Sequence, residues 1–144
     1  MRALLDVNVL IALFDEDHVF HERAHAWLEA NDSEGIATCP LTENGLVRLI
    51  SHPKYSPALR LAPGDVIRRL SGFCEAQDHD FWPDDVSLRD AGLFHGDRIL
   101  GSRQVSDAYL LGLALKNGGR LVTFDEGITV TTVSSGTAKH LAVI

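Results

Sequence analysis

The chain has 144 residues, of which 45% are hydrophobic and 23% charged, and its formal net charge is −7. These values are close to the averages for soluble globular proteins, so they exclude an intrinsically disordered chain, and the length predicts a single domain over residues 1–144. No apolar stretch approaches the roughly 20 residues that a membrane-spanning helix needs, so no membrane association is expected.

Apolar periodicity predicts alternating strands and helices in the first half of the chain. The predicted strands cover residues 2–6 and 35–39. The predicted helices cover residues 7–14 and 18–30, and a third begins at Pro40, which suits a first helical turn. Residues 52–62 contain Pro53 and Pro57 and are predicted to form a loop or a short broken helix.

The second half of the chain continues the alternation. It predicts helices over residues 63–77 and 86–94, a strand over 80–83 and a glycine-flanked loop over 96–101. A helix over 107–116 follows, with Ser106 as its N-cap, and strands over 120–124 and 140–144 complete the chain. This order predicts a three-layer α/β/α sandwich with a central, mainly parallel sheet, whose strand order is left open.

Four acidic residues follow apolar strands or open apolar helices: Asp6, Glu43, Asp107 and Asp125. In a parallel α/β sheet, strand ends and the following helix starts meet along one edge, so these residues are expected to converge. Crowded carboxylates repel one another without a counter-ion, and hard divalent ions prefer oxygen ligands. The pattern therefore predicts a Mg²⁺ or Mn²⁺ site.

Each acid also has a purely structural explanation. Glu43 and Asp107 lie where the helix macrodipole stabilises an anion, and Asp125 lies in a typical turn sequence. Asp6 is the hardest to explain in this way, because an unpaired charge between apolar residues costs several kcal/mol. The structural explanations have to hold for all four acids together, which favours the joint metal site.

Three polar neighbours of these acids are predicted to orient a carboxylate or bind a metal-bound water: Asn8, Thr42 and Thr123. His18, His21 and His25 have helical spacing and form an alternative metal cluster, but adjoining acids favour a solvated helix start. Cys39 and Cys74 lie in apolar patterns without disulfide or zinc spacing, so both are predicted to be reduced, buried and inert, as in a cytosolic protein.

Charge is unevenly distributed along the chain. Residues 48–69 contain five basic residues and one acidic residue, whereas residues 70–97 contain one basic and seven acidic residues. The basic stretch predicts an approach path for nucleic acid in spite of the negative net charge. Its candidate phosphate contacts, and one aromatic residue available to stack on a base, are Arg48, Lys54, Arg60, Arg68, Arg69 and Tyr55.

Four short motifs together resemble those of the PIN-domain nucleases, and most closely the VapC-type toxins of bacterial toxin-antitoxin systems. They are LLDVN at residues 4–8, Thr42-Glu43, VSDAYLL at residues 105–111 and VTFD at residues 122–125. Each motif is weak alone, but their order and spacing are specific and cover nearly the whole chain. The resemblance implies a PIN-like fold and assigns the family's acids to Asp6, Glu43, Asp107 and Asp125.

The resemblance further implies a magnesium- or manganese-dependent endoribonuclease that hydrolyses phosphodiesters with metal-activated water, as the toxin of a type II toxin-antitoxin system. Asp6 and Asp107 are expected to hold the principal ion, Asp125 to assist or to position a second ion, and Glu43 to act through water. The implied partners are RNA, a VapB-like antitoxin and a second copy in a homodimer, in the cytoplasm. Two alternatives stay open: a non-cleaving module that binds RNA or protein, and a metal-dependent phosphatase.

Overall fold

A five-stranded sheet, with every neighbouring pair parallel, forms the centre of the computed structural model, which describes residues 1–144. The strand order is β3-β2-β1-β4-β5. The strands are β1 (Ala3–Leu5), β2 (Ile36–Thr38), β3 (His79–Phe81), β4 (Arg120–Thr123) and β5 (Leu141–Val143). The predicted α/β fold with a central parallel sheet is confirmed.

Helices cover both faces of this sheet. They are α1 (Val7–Phe14), α2 (His21–Ala30), α3 (Pro40–Ile50), α4 (Pro63–Glu75) and α5 (Val105–Lys116). Alternate residues of the inner strands belong to different cores: Ala3 and Leu5 pack with α1 to α4, whereas Leu4 packs with α5. Because the inner strands are buried on both faces, β1 is continuously apolar, and β2 and β4 carry polar residues only at their ends. None of the helices has the length and hydrophobicity needed to cross a membrane.

The strand order creates a crevice beside β1. The chain passes outward from β1 to β2 and β3, then returns to the other side of β1 to form β4. Ligands of open α/β sheets bind at such a reversal, outside the carboxyl ends of the strands. Asp6 directly follows β1, and Asp125 comes two residues after β4.

The predicted helix over residues 86–94 is wrong, since this segment forms successive turns. Ser87 Oγ accepts a hydrogen bond from Arg89 N, and Asp90 Oδ1 accepts one from Gly92 N. Such local bonds between side chain and backbone compete with the helical pattern. Phe94 then forms an antiparallel bridge with Val133 and is buried against α5.

Two predicted helix starts also differ from the structure. Helix α2 begins at His21, because the His18 ring accepts a hydrogen bond from Phe20 N and closes a separate turn. A short 3₁₀ turn over Ser102–Gln104 leads straight into α5, so Gln104 rather than Ser106 is the N-cap. Asp107 is therefore the third residue of α5 and still lies in its first turn.

Candidate active site at the carboxyl end of the sheet

Asp6 is buried at the junction between β1 and α1, with 7% of its surface exposed. It is the N-cap of α1, and its Oδ1 accepts a hydrogen bond of 2.7 Å from Val7 N. Burial raises the pKa of Asp6; the bonds from Thr123 and Val7 oppose this rise, and the charge of Asp125 adds to it. The carboxylate is therefore held in place in a site that disfavours its charge.

Thr123, the last residue of β4, joins two of the predicted acids. Its fully buried hydroxyl donates to Asp6 Oδ2 at 2.7 Å and accepts a hydrogen bond from Asp125 N at 3.0 Å. The sequence predicted Thr123 only as a neighbour of Asp125. The contact with Asp6 depends on the parallel pairing of β1 and β4, which places Leu5 beside Val122.

Asp107 and Asp125 complete an acidic trio with Asp6. The Asp107 side chain is half-buried at the start of α5, and its pKa is raised to about 6 by burial and by the charges of Asp6 and Asp125. Asp125 lies in an exposed turn, where its Oδ1 accepts a hydrogen bond from Gly127 N. The structure thus brings three of the four predicted acids within mutual electrostatic reach.

The acidic trio fits a hard divalent ion that keeps part of its water shell. Its donor atoms are all carboxylate oxygens, and the raised pKa values of Asp6 and Asp107 reflect a site that disfavours further negative charge. The three carboxylates do not lie within 4.8 Å of one another, as a closed ligand set would. Mg²⁺ typically binds through one or two carboxylates and retains several waters, so one ion need not contact all three side chains directly.

Glu43, the fourth predicted acid, lies in a separate group that we call the Glu43 cluster: Thr38, Glu43, Cys74 and His79. Thr38 Oγ1 donates to Glu43 Oε1 at 2.6 Å and lies 2.7 Å from His79 Nε2. Since a threonine hydroxyl has one hydrogen to donate, His79 Nε2–H is the donor to Thr38. Glu43 does not contribute to the pKa shifts of Asp6 or Asp107, and its place in the acidic site stays a prediction.

Three members of the Glu43 cluster, Glu43, Cys74 and His79, line a cavity of about 910 Å³ between α3, α4 and β3. Burial lowers the pKa of His79, although Glu43 and Asp80 oppose this shift. Burial also raises the pKa of the Cys74 thiol to about 11, with smaller contributions from Glu43 and Glu75. Near neutral pH, the cluster therefore presents a neutral imidazole and a thiol beside Glu43.

Sequence reasoning missed Thr38 and His79 in this cluster. Thr38 ends β2 as a buried polar residue, which is the same signal that drew attention to Asp6. His79 opens the edge strand, one residue before its predicted start. Cys74 is half-buried beside the cavity rather than fully buried as predicted, whereas Cys39 is buried.

Two of the predicted polar neighbours lie differently from Thr123. Thr42 is buried, and its hydroxyl bonds the backbone N and O of Cys39 as part of the α3 N-terminus. Asn8 is exposed in the first turn of α1. Their proposed roles beside the acids remain predictions.

The predicted RNA-binding residues are mostly exposed, namely Arg48, Lys54, Arg60, Arg68 and Arg69. Arg68 forms an ion pair with Asp65 on the same helix. Tyr55 is half-buried, packs against the core and donates its hydroxyl to Asp15 Oδ2 at 2.7 Å. This contact restrains its ring, so base stacking by Tyr55 requires the ring to leave Asp15.

The histidine trio also has a structural role. His21 Nδ1 lies 2.7 Å from the carbonyl oxygen of Ala12, and His25 Nε2 lies 3.1 Å from that of Leu13. These contacts satisfy carbonyls in the last turn of α1, which have no partner within the helix.

The fold and the acidic trio define an α/β protein with a carboxylate site at the reversal of its strand order. Residues 3–132 match the sequence profile of the PIN domain, and the chain belongs to the PIN domain family. The predicted family is thus confirmed over most of the chain.

The particular relatives are ribonucleases of Mycobacterium tuberculosis (strain ATCC 25618 / H37Rv). The chain is 46% identical to Ribonuclease VapC44 over 144 residues, which is the full length of both chains. It is 47% identical to Ribonuclease VapC38 over 126 residues, covering 88% of this chain and 86% of the other. It is 42% identical to Ribonuclease VapC39 over 141 residues, covering 98% and 100%. The predicted resemblance to VapC proteins is confirmed.

Proposed function

We propose that this chain is a metal-dependent endoribonuclease and the toxin of a type II toxin-antitoxin system, with residues 1–144 forming one PIN-like nuclease domain. The observation that carries the proposal is the charge-coupled trio of buried Asp6, half-buried Asp107 and exposed Asp125 at the reversal of the strand order. Relatives named as ribonucleases and matched over the full chain support RNA as the substrate.

The residues of the site have distinct proposed roles. Asp6 and Asp107 would hold the principal Mg²⁺ or Mn²⁺, and Asp125 would assist them or position a second ion. When bound, such an ion lowers the pKa of a coordinated water and neutralises charge that develops on the phosphate. Thr123 holds Asp6 in position through its hydroxyl, and Glu43 orients the attacking water.

Removal of one carboxylate tests the proposed function. Asp107→Asn is expected to reduce the rate of RNA cleavage about 100-fold or more, because an amide contributes no charge to the site. Cleavage of total cellular RNA is measured with Mg²⁺, Mn²⁺ or EDTA, and new 5′ ends are mapped. Asp97→Asn, at an exposed acid in another loop, is the matched control and should retain full activity. A folded Asp107→Asn protein with normal activity would contradict the proposal.

The same assay separates the rival functions. RNA that is bound with Mg²⁺ but stays intact would indicate a non-cleaving binding module. Turnover of a chromogenic phosphate ester without RNA cleavage would indicate a phosphatase.

The proposed partners follow from the family and the surface. RNA approaches over the exposed basic residues between Arg48 and Arg69, whose charge favours phosphate. A VapB-like antitoxin binds the protein, which acts as a homodimer in the cytoplasm. Size-exclusion chromatography with light scattering tests the dimer, and co-purification with a VapB-like antitoxin tests the pairing.

A further inference from the structure

We propose that Glu43, Cys74 and His79 form a second metal site, distinct from the acidic trio and selective for Zn²⁺ over Mg²⁺. Among the histidine, cysteine, aspartate and glutamate side chains of the chain, this is the one group of three whose ligand atoms all lie within 4.8 Å of one another. The metal-binding step does not depend on the proposed nuclease activity.

The three ligands come from three different elements. Glu43 belongs to the first turn of α3, Cys74 to the last turn of α4, and His79 to the start of β3. Zinc bonds of about 2.0 to 2.3 Å place tetrahedral ligand atoms roughly 3.3 to 3.8 Å apart. Small side-chain rotations are therefore enough to close the site, and all three half-buried side chains line the cavity that gives them room to move.

The donor atoms select the metal. A thiolate and an imidazole are ligands for Zn²⁺, whereas Mg²⁺ requires oxygen ligands in octahedral geometry. Three protein ligands leave a fourth tetrahedral position for a water or another small ligand from the open cavity. The two predicted metal sites thus have different preferences, with hard ions at the acidic trio and Zn²⁺ at the Glu43 cluster.

Thr38 provides the outer contact that ordered metal ligands usually have. It donates to Glu43 Oε1 and accepts from His79 Nε2–H, so it holds both side chains toward the same part of the cavity. In this histidine tautomer, Nδ1 has a free lone pair and can bind the metal while Nε2–H keeps its bond to Thr38. If Nε2 binds the metal instead, the bond to Thr38 is lost. No comparable arrangement exists at Cys39, whose side chain is buried against the Thr42 hydroxyl.

Binding of Co²⁺ as a spectroscopic probe, and of Zn²⁺ by calorimetry, tests the site in the reduced protein. Co²⁺ should produce a thiolate-to-cobalt charge-transfer band in the near-ultraviolet that persists in excess Mg²⁺ and disappears when Zn²⁺ is added. Because outer-shell contacts alone are worth about 10- to 100-fold in metal affinity, loss of a direct ligand in Cys74→Ser should weaken Zn²⁺ binding about 100-fold and abolish the band.

Two control variants separate this site from others. His25→Gln removes a histidine of the α2 trio, and Asp107→Asn alters the acidic trio; both should retain the cobalt band and the Zn²⁺ affinity. Absence of the band in the wild-type protein, or an unchanged Zn²⁺ affinity in Cys74→Ser, would overturn the proposal.

One consequence rests on the proposed function. If Glu43 also orients the attacking water, Zn²⁺ bound to it should inhibit Mg²⁺-dependent RNA cleavage in the wild-type protein, and Cys74→Ser should resist this inhibition. Equal inhibition of both proteins would overturn the coupling between the sites. A cobalt band in a protein that cleaves no RNA would support the Zn²⁺ site and refute the nuclease activity. Failure of the Zn²⁺ proposal can therefore be distinguished from failure of the proposed function.

Discussion

At the scale of single residues, the Thr123 hydroxyl connects the acids of the candidate active site. It is fully buried, donates to Asp6 and accepts from the backbone of Asp125. A hydrogen bond donated to a carboxylate favours the charged form, so this contact limits the rise in the Asp6 pKa that burial causes. We therefore propose that Thr123 is a positioning residue, whose effect can be measured through the pKa of Asp6.

Replacement of Thr123 by the isosteric valine should lower the cleavage rate about tenfold, in the range typical of outer-shell contacts. Loss of the bond raises the Asp6 pKa further, so the acidic limb of the pH-rate profile should move to higher pH. Thr123→Ser, which keeps the hydroxyl, should restore both the rate and the profile. A slower Thr123→Val enzyme with the wild-type pH profile would show that the residue matters for packing alone.

Asp107 should make the stability of the metal-free protein depend on pH. Its pKa is about 6 in the folded protein, against 3.8 for an ordinary aspartate such as that of the unfolded chain. Between these two pH values, Asp107 is protonated in the folded protein and ionised in the unfolded chain. The free energy of unfolding should therefore fall as pH rises through about 6. Thermal unfolding in EDTA between about pH 4 and pH 7 measures this fall.

The Asp107→Asn variant isolates this effect. It should have a higher Tm than the wild-type protein at pH 7.5 in EDTA, and its Tm should depend less on pH. The reason is that the variant lacks the carboxylate whose negative charge the site disfavours. Mg²⁺ should raise the Tm of the wild-type protein more than that of the variant. The same dependence of Tm on pH in the two proteins would contradict the raised pKa of Asp107.

At the scale of elements, the packing of α5 positions Asp107. This helix contributes six buried residues to one face of the sheet, and Gly112 lies against the buried ring of Phe94. A Cβ atom at Gly112 would come within 2.3 Å of that ring. The turn segment around Phe94 therefore lies close to the α5 backbone only because residue 112 has no side chain.

Two glycine-to-alanine variants test this packing. Gly112→Ala should destabilise the protein by about 1 to 3 kcal/mol, since an added methyl group overpacks the core. Gly72→Ala, in the exposed middle of α4 with no atom near the added methyl, should stabilise it by about 0.5 to 1 kcal/mol through helix propensity. Urea denaturation measures both values, and a change of the same sign in the two variants would contradict the packing argument.

The contact of Tyr55 with the end of α1 changes the role expected of this residue. The segment between α3 and α4 is predicted from the sequence to be a loop or a short broken helix, and Tyr55 within it to be a stacking surface for RNA. In the structure, Tyr55 attaches this loop to the end of α1 through Asp15, which is itself buried. Hydrogen bonds to charged groups contribute about 1.5 to 3 kcal/mol, so the contact restrains the loop that presents the basic residues.

At the scale of the whole molecule, the uneven charge should govern RNA binding. Arg68 and Arg69 are exposed on α4 within the basic stretch, while the net charge of the protein is −7. Attraction of RNA therefore depends on a local positive surface rather than on the total charge. The Arg68 contribution is reduced by its ion pair with Asp65.

Reversal of both charges, in Arg68→Glu/Arg69→Glu, should weaken RNA binding and flatten its salt dependence. Each lost phosphate contact lowers the slope of log K against log salt by about 0.7 for single strands. The measurement uses the Asp107→Asn background, in which RNA stays intact. Arg89→Glu, an exposed site in the acidic stretch, is the control, and an unchanged slope in the double variant would exclude both arginines from the RNA path.

The sequence by itself determined most of the elements, because apolar periodicity over short stretches reflects local burial. It placed β1, α1 and β4 to within a residue or two, and it placed Asp6 and Asp125 at the ends of two strands. It failed over residues 86–94, where side-chain hydrogen bonds from Ser87 and Asp90 favour turns over a helix that the apolar pattern alone permits.

Only the tertiary structure decided which side chains meet. The strand order places β4 beside β1 and so brings Thr123 to Asp6 across 117 positions of the chain. The packing of α3, α4 and the edge strand likewise joins Glu43, Cys74 and His79. Periodicity indicates on which face of its helix or strand a side chain lies. Distances between residues that are far apart in the sequence depend on how the helices and strands pack, and these distances define both candidate metal sites.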